Sequence, residues 1–254
     1  MPKKAKIGFP AKKASPRPES GFFLTVTLSE VSPPVWRRLR VAAELTLRDL
    51  HHVLQIALGW TDSHLHEFEI SRKRYGMPDP AEDFGEPALD ERHYPLHRLL
   101  RKDSRFEYHY DFGDSWRHAI VVEDAVSLGA NARKAECLAG ARACPPEDCG
   151  GAYGYAELLE ALGDPSNERH AELAEWVGPH FDPEEFDLAS VNRELRGAGS
   201  SAWRRGRERF YRSAALIRYL SRTNGTLCLA VVLQIIESVT ELLSSEKTVS
   251  VSQA

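Results

Sequence analysis

Apolar and polar residues alternate over several short segments of the N-terminal half, and this period of two constrains the fold more than any other sequence feature. In residues 23–28 leucine and valine fall on one face and threonine on the other, and residues 35–41 alternate again. Every second side chain of a β-strand points to the same side of the sheet, so both segments are predicted to be half-buried strands. Further strands are predicted at 65–70, 105–110 and 116–123, the last two joined by an Asp- and Gly-rich hairpin turn.

Helix signals concentrate in the C-terminal half. One helix is predicted earlier, where Thr46 and Asp49 have the spacing of a capping box and Gly59 ends an apolar stripe. Three more are predicted at 155–162, 165–177 and 183–196, the last two capped by Asp164 and Asp182. Because strands dominate the first half and helices the second, we predict an α+β fold. In that fold a helical C-terminal half packs on a mainly antiparallel sheet.

The net charge of −4 conceals an uneven distribution along the 254 residues. Residues 1–20 hold six basic residues and one acidic residue, residues 21–200 carry a net charge of −13, and residues 201–222 hold seven arginines and one glutamate. The Lys- and Pro-rich start cannot bury much apolar surface. We therefore predict a disordered basic tail over 1–20, a folded domain over 21–196, and an Arg-rich linker with an apolar helical extension over 197–254.

The composition argues against several classes of protein. The N-terminus lacks the apolar segment of a secretory signal. The longest apolar run, residues 227–236, is about half of the roughly 20 residues that span a bilayer. We therefore expect a cytoplasmic protein with no membrane segment, in which the four cysteines are reduced.

A series of short motifs runs in order along residues 21–196. The motifs are Val35-Trp36-Arg37-Arg38, Leu50-His51-His52-Val53-Leu54-Gln55, Gly59-Trp60, His64-Leu65-His66-Glu67-Phe68, Tyr110-Asp111-Phe112-Gly113-Asp114-Ser115-Trp116, Pro145-Pro146-Glu147-Asp148-Cys149-Gly150-Gly151, Gly154-Tyr155 and Phe181-Asp182-Pro183-Glu184-Glu185-Phe186-Asp187. The series resembles the plasmid pRiA4b ORF-3-like family. The resemblance implies a compact α+β domain associated with plasmids and insertion elements. Some relatives are labelled resolvase-like passenger proteins of transposons, and no catalytic activity is implied.

Five polar residues form the first candidate site. His64 and His66 share one face of a predicted strand, Asp111 and Asp114 lie in the hairpin turn, and His118 follows on the next strand. If the hairpin adjoins the first strand, these side chains converge, and such nitrogen and oxygen sets suit a divalent transition metal that activates water. The alternative is that the aspartates form the turn through side-chain hydrogen bonds to the backbone, while the histidines pack in an aromatic core.

Three cysteines form the second candidate site, a structural zinc loop. Cys137, Cys144 and Cys149 lie within 13 positions, and thiolates favour zinc. The fourth ligand would have to be a histidine, such as His118 or His180. The spacing differs from the usual close pair of cysteines, so three partly buried thiols in a Pro- and Gly-rich loop are the alternative.

Arg37 falls on the apolar face of its predicted strand. A buried guanidinium needs a partner, and carboxylates bind it best. We therefore predict a structural ion pair between Arg37 and either Glu147 or Asp148.

The arginines of the C-terminal segment are a candidate nucleic-acid contact. They include Arg204, Arg205, Arg207, Arg209 and Arg212. A positive segment binds phosphate backbones without sequence preference. The alternatives are a solvated charge run and an arm that folds on the acidic body of the protein.

Together these features predict an accessory or binding protein of plasmids and transposable elements, without catalytic activity. The expected partners are nucleic acid, through the basic tails, and a protein of the mobile element. The alternative is a metal-dependent hydrolase, either a phosphoesterase or a nuclease, that uses the His and Asp cluster. Zinc or another divalent metal is the cofactor that these residues indicate.

Overall fold

The computed structural model describes residues 19–78, 87–129 and 132–197. The Arg-rich linker, the apolar extension and the candidate nucleic-acid contact at residues 204–212 lie outside the described residues, as does the basic tail up to residue 18. Glu19 and Ser20, which the sequence assigns to the tail, pair with residues 127 and 128 as the start of the first strand.

Within the described ranges, eight strands form one mixed sheet. The strands are β1 (Glu19–Leu28), β2 (Trp36–Ala42), β3 (His66–Ile70), β4 (Lys73–Gly76), β5 (Leu89–Asp90), β6 (Arg105–Tyr110), β7 (Trp116–Leu128) and β8 (Ala135–Ala141). Their order across the sheet is β5-β4-β3-β6-β7-β1-β2-β8. Neighbouring strands run antiparallel, except that β4 and β5 run parallel.

Five α-helices and one 3-10 helix (Glu91–His93) accompany the sheet in the described part of the chain. The α-helices are α1 (Leu47–Leu58), α2 (Leu96–Leu99), α3 (Gly151–Gly163), α4 (His170–Val177) and α5 (Leu188–Gly197). Helices α1 and α2 precede residue 100, and the strands β6, β7 and β8 lie between α2 and α3 along the chain. The predicted division into a strand-rich N-terminal half and a helical C-terminal half packed on the sheet is therefore wrong, because the helices are scattered through the chain.

Local signals fix the position of α1 between two strands. The Thr46 hydroxyl accepts a hydrogen bond from the Asp49 amide at 3.2 Å, and the Asp49 carboxylate accepts one from the Thr46 amide at 2.9 Å. This is the predicted capping box. Gly59 ends the helix in the left-handed conformation at φ 84°, also as predicted. The leucine stripe is buried, so α1 contributes to the core within the strand-rich N-terminal half.

Strand β8 escapes sequence-based prediction because small residues replace the alternating pattern at its C-terminal end. A Cβ atom at Gly140 would lie 2.7 Å from the Phe186 ring and 2.8 Å from Arg37 Cδ. Glycine at this position therefore allows a ring and a guanidinium stem to approach the strand backbone.

The predicted helix caps Asp164 and Asp182 form turns instead. Each carboxylate accepts a hydrogen bond from the amide two residues later, at 2.9 Å for Ser166 and 2.8 Å for Glu184. Helices α4 and α5 begin six residues beyond these aspartates. The Asx turn uses the same carboxylate as a helix cap would, so the two signals look alike in sequence.

One face of β6 positions the candidate site. Tyr108 and Tyr110 lie on the same face of this strand, and both are fully buried. The Tyr108 hydroxyl lies 2.7 Å from His51 of α1, and the Tyr110 hydroxyl accepts the Ser63 amide at 3.1 Å. The two tyrosines thus anchor α1 and the loop that follows it.

Every helix in the described ranges is too short or too polar to cross a membrane.

Candidate functional site

His64 lies between two carboxylates at the edge of the fold. Its Nδ1 atom is 3.5 Å from Asp111 Oδ2, and its Nε2 atom is 3.4 Å from Asp148 Oδ1. One ligating atom from each of the three residues lies within 4.8 Å of the others. The side chains of Asp111, His64 and Asp148 are 9%, 26% and 74% exposed, so this group, the His64 centre, opens to solvent.

The turns that carry the two aspartates have left-handed backbone conformations. Asp111 has φ 55° and Asp148 has φ 61°, a region that Asp and Asn enter at lower cost than most residues. Asp111 Oδ1 accepts the Gly113 amide at 2.9 Å and the Asp114 amide at 3.4 Å. The hydrogen bonds on Oδ1 leave Oδ2 directed at His64.

Glu147 joins the loop before α3 to the loop after α1. Its Oε1 atom accepts the Tyr110 hydroxyl at 2.5 Å, and its Oε2 atom accepts the Thr61 amide at 3.1 Å. The Tyr110 oxygen accepts the amides of Ser63 and His64 at 3.1 and 3.3 Å. Burial and the Glu147 carboxylate raise the pKa of the Tyr110 hydroxyl, which therefore remains a donor at neutral pH. We call this arrangement the Glu147 clamp.

A second cluster of histidines and carboxylates is buried behind the clamp. The rings of His51 and His66 stack with centroids 3.5 Å apart. His51 Nε2 is 2.7 Å from Asp62 Oδ1, and His66 Nε2 is 2.8 Å from Glu91 Oε2. Burial raises the pKa of the Glu91 carboxyl and the two imidazoles lower it, with a net downward shift. The Glu91 carboxyl is therefore ionised at neutral pH and held by His66.

His51, His52 and Asp62 also have ligating atoms within 4.8 Å of one another. Both nitrogens of His51 already lie 2.7 Å from a partner, one from the Tyr108 hydroxyl and the other from Asp62. All three residues are more than 90% buried. His51 thus has a partner within the protein on each nitrogen, and its contact with Asp62 joins α1 to the loop that follows it.

The fold separates the five residues of the first predicted site. His64 and Asp111 come together, whereas His66 pairs with Glu91 in the buried cluster. Asp114 Oδ2 accepts the Gly150 amide at 3.1 Å. His118 is fully buried, with Nδ1 at 3.2 Å from the Tyr108 carbonyl oxygen. Burial lowers its pKa to about 4, so His118 is neutral.

Arg37 is buried but does not form the predicted ion pair with Glu147 or Asp148. Its guanidinium donates to four carbonyl oxygens, those of Trp36, Ala57, Ala141 and Arg142, at 2.7–2.9 Å. The Phe186 ring lies 4.1 Å from the guanidinium carbon. Backbone oxygens from three segments take the place of the expected carboxylate, and Glu147 is engaged in the clamp.

The predicted zinc loop does not assemble as a ligand set. Within the described ranges, no group of three ligating side chains within 4.8 Å includes a cysteine. Burial raises the pKa of Cys144 and Cys149 to about 12, and Cys137 is buried with its Sγ 3.5 Å from the Ala139 oxygen. The three residues are protonated thiols in this arrangement, as in the alternative interpretation.

Sequence reasoning missed two components of this region. The sequence offers Asp148 only as one of two candidate partners of Arg37 and not as a partner of His64, because its approach to His64 depends on a contact between distant loops. The buried cluster was missed as well, although periodicity carried a signal. His51 follows Leu47 by four residues and precedes Leu54 by three, which places it on the buried stripe of α1.

The sequence model of the plasmid pRiA4b ORF-3-like protein family matches residues 20–190. The chain belongs to the plasmid pRiA4b ORF-3-like family. This confirms the resemblance seen in the motifs. All three residues of the His64 centre and the whole Glu147 clamp fall within the segment that matches the plasmid pRiA4b ORF-3-like model.

Two proteins are similar to this plasmid pRiA4b ORF-3-like chain over about two thirds of its length. The uncharacterized protein y4hQ of Sinorhizobium fredii is 42% identical over 172 residues, which cover 66% of this chain and 84% of the relative. The crystal structure of the protein of unknown function MM3350 from Methanosarcina mazei Go1 is 33% identical with a TM-score of 0.62. That match covers 68% of this chain and 98% of MM3350.

Proposed function

We propose that this chain is an accessory protein of plasmids and other mobile elements that binds a divalent transition metal at the His64 centre. One observation carries the proposal: ligating atoms from three separate loops lie within 4.8 Å of one another. Bonds of about 2.1 Å at tetrahedral angles separate two zinc ligands by about 3.4 Å. The distance from His64 Nδ1 to Asp111 is 3.5 Å and that from His64 Nε2 to Asp148 is 3.4 Å, so an ion on either nitrogen would have one carboxylate at the separation of a second ligand.

The donor set indicates the class of metal. One imidazole and two carboxylates favour zinc, manganese, iron(II) or cobalt(II) over soft ions such as copper(I). The two carboxylates face different nitrogens of His64. An ion can bind only one of these nitrogens, so the carboxylate that faces the other nitrogen has to rotate to reach the same ion.

Metal titration of the full-length protein tests this proposal. We expect zinc, manganese or cobalt to bind in calorimetry, and His64→Ala to weaken binding by at least about tenfold. His93→Ala, which changes a histidine that is 76% exposed, is the matched control and should bind as the wild type does. Binding that is unchanged in His64→Ala, or absent from folded wild-type protein, would refute the proposal. Loss of binding in Cys144→Ala alone would assign the metal to the cysteine loop instead.

A metal-dependent hydrolase, either a phosphoesterase or a nuclease, is the second candidate function. The observation that favours it is the exposure of the centre, with Asp148 74% exposed. Three protein ligands also leave coordination positions for water and substrate. The candidate residues are now His64, Asp111 and Asp148, because His66, Asp114 and His118 have other partners.

Hydrolysis of para-nitrophenyl phosphate, bis-para-nitrophenyl phosphate and single-stranded DNA in the presence of manganese or zinc tests this second function. A hydrolase should turn over at least one of these probes, and His64→Ala should abolish the turnover while His93→Ala retains it. Metal binding without turnover of any probe would support the binding function and reject the hydrolase.

A further inference from the structure

A cavity of about 260 Å³ lies between α3 and α4. Leu158, Leu173 and Trp176 form the apolar part of its lining, and Trp176 is 49% exposed. Asp148 lines the same cavity, and its carboxylate faces His64 at 3.4 Å. A molecule in the cavity would therefore adjoin the proposed metal centre.

The charges of the lining are predominantly negative. Asp148, Glu157 and Glu172 contribute carboxylates, and Arg169 contributes the one guanidinium of the lining. Arg169 lies 3.4 Å from Glu157 and 3.5 Å from Glu172. These residues are 45–68% exposed, so the pairs are long and screened by solvent, and they hold Arg169 weakly. Two carboxylates remain in excess in the metal-free protein, and one remains when a metal ion is bound to Asp148.

We propose that this cavity binds an organic cation, an ammonium or guanidinium group attached to a small apolar body. The carboxylates attract the cationic group, and an indole ring such as that of Trp176 attracts cations through its negative face. Leu158 and Leu173 provide contact for the apolar body. An anion of the same shape would instead meet three carboxylates and a single guanidinium.

The size of the cavity limits the occupant. Ligand pockets usually enclose about 300–1,000 Å³, so a cavity of about 260 Å³ suits a single ring or a short chain. The inference that the cavity holds the ligand of the metal centre rests on the proposed function. The inference that the cavity binds a cation does not rest on it, because Glu157, Glu172 and Trp176 are not ligands of that centre.

Three probes of similar shape and different charge test the proposal on the full-length protein: benzylamine, benzyl alcohol and benzoate. On addition of benzylamine, the amide chemical shifts measured by nuclear magnetic resonance should change within residues 148–176. Benzoate should bind more weakly than benzylamine, by about twofold to fivefold. Glu172→Gln should weaken benzylamine binding. Arg169→Gln should strengthen it by about twofold to fivefold, because it removes the competing cation.

The opposite signs of the two substitutions separate electrostatics from damage to the fold, which would weaken binding in both. Lys102→Gln and Asp124→Asn change the charges of an ion pair outside the lining, 58% and 52% exposed, and should leave the affinity unchanged. Benzoate binding as tightly as benzylamine, or weaker benzylamine binding in Arg169→Gln, would overturn the proposal. If the wild type binds no metal and His64→Ala still binds benzylamine, the result supports the cation site and rejects only the metal centre.

Discussion

The Tyr110 hydroxyl donates a 2.5 Å hydrogen bond to Glu147 Oε1 and thereby joins the loops that carry His64 and Asp148. The Tyr110 hydroxyl oxygen also accepts a hydrogen bond from the His64 amide, and Glu147 Oε2 accepts one from the Thr61 amide. Hydrogen bonds between a hydroxyl and a carboxylate are shorter and stronger than neutral ones. The geometry of the His64 centre therefore depends on a residue that contributes no ligand to it.

Tyr110→Phe should lower both stability and metal affinity. The substitution leaves Glu147 Oε1 and two loop amides without their partner, which should reduce the free energy of unfolding in urea by about 1–3 kcal/mol. Affinity for the proposed metal should fall by about tenfold, as expected for the loss of a residue that orients ligands. Tyr153→Phe is the control, because Tyr153 is 77% exposed. Equal stability and equal metal affinity of the two variants would contradict the role of the clamp.

The buried imidazole of His118 should make the protein less stable in mild acid. Burial lowers its pKa from 6.5 to about 4, so between these values the unfolded chain binds a proton that the folded chain does not. Stability should therefore fall as the pH drops from 6.5 toward 4, by about 3 kcal/mol in total, and this group should have no effect above that window.

Urea unfolding at several pH values measures this effect as the difference between the wild type and His118→Gln. The variant should lack the part of the pH dependence that belongs to His118. His93→Gln, at an exposed position, should retain it. An imidazole proton signal of His118 that titrates near pH 6.5 would contradict the prediction.

Arg37→Lys should destabilise the fold more than Arg38→Lys. Arg37 donates to four carbonyl oxygens, and an ammonium has only three donors in a different geometry. Leaving at least one buried carbonyl unpaired should cost about 1–3 kcal/mol. Arg38 forms an ion pair with Glu123 and is 42% exposed, so its replacement by another cation should cost clearly less than the replacement of Arg37. Thermal or urea unfolding of both variants would reveal the difference, and equal losses would argue against the role assigned to Arg37.

Nucleic-acid binding by the basic segments remains a prediction with a direct test. Replacement of the five arginines between residues 204 and 212 by glutamine should weaken binding to duplex DNA. The slope of the logarithm of the binding constant against the logarithm of the salt concentration should also become shallower, by about 0.9 for each phosphate contact that is lost. Binding with an unchanged salt slope would show that these arginines are not the contact.

Sequence patterns identified the elements that depend on neighbours along the chain. The predicted strands at 105–110 and 116–123 appear as β6 and β7, and the capping box of Thr46 begins α1 where expected. The predictions failed where one sequence signal serves two structures. Asp164 and Asp182 form turns rather than caps. Strand β8 was missed for a different reason, because it lacks clear alternation where Gly140 allows the Phe186 ring to approach the backbone.

The candidate site was predicted only in part for a related reason. His64 and Asp111 were among the candidates because their residue types and spacing suit a metal, and strand pairing between β3 and β6 brings them together. Asp148 and Glu147 come from a loop far along the chain, and no local pattern states which partner they contact. The buried pairing of His66 with Glu91 depends equally on a distant segment.

The family, most of the strands and the first helix can be read from the amino-acid sequence, because hydrophobic period, helix capping and short motifs depend on residues that are close along the chain. The partners of Arg37, Glu147 and Asp148 follow only from the folded arrangement, in which Arg37 binds carbonyl oxygens, Glu147 binds Tyr110 and Asp148 faces His64. A buried charge requires a partner, and that requirement can be read from sequence. Several groups of the right chemistry compete for the position, however, and the packing of the loops selects one of them.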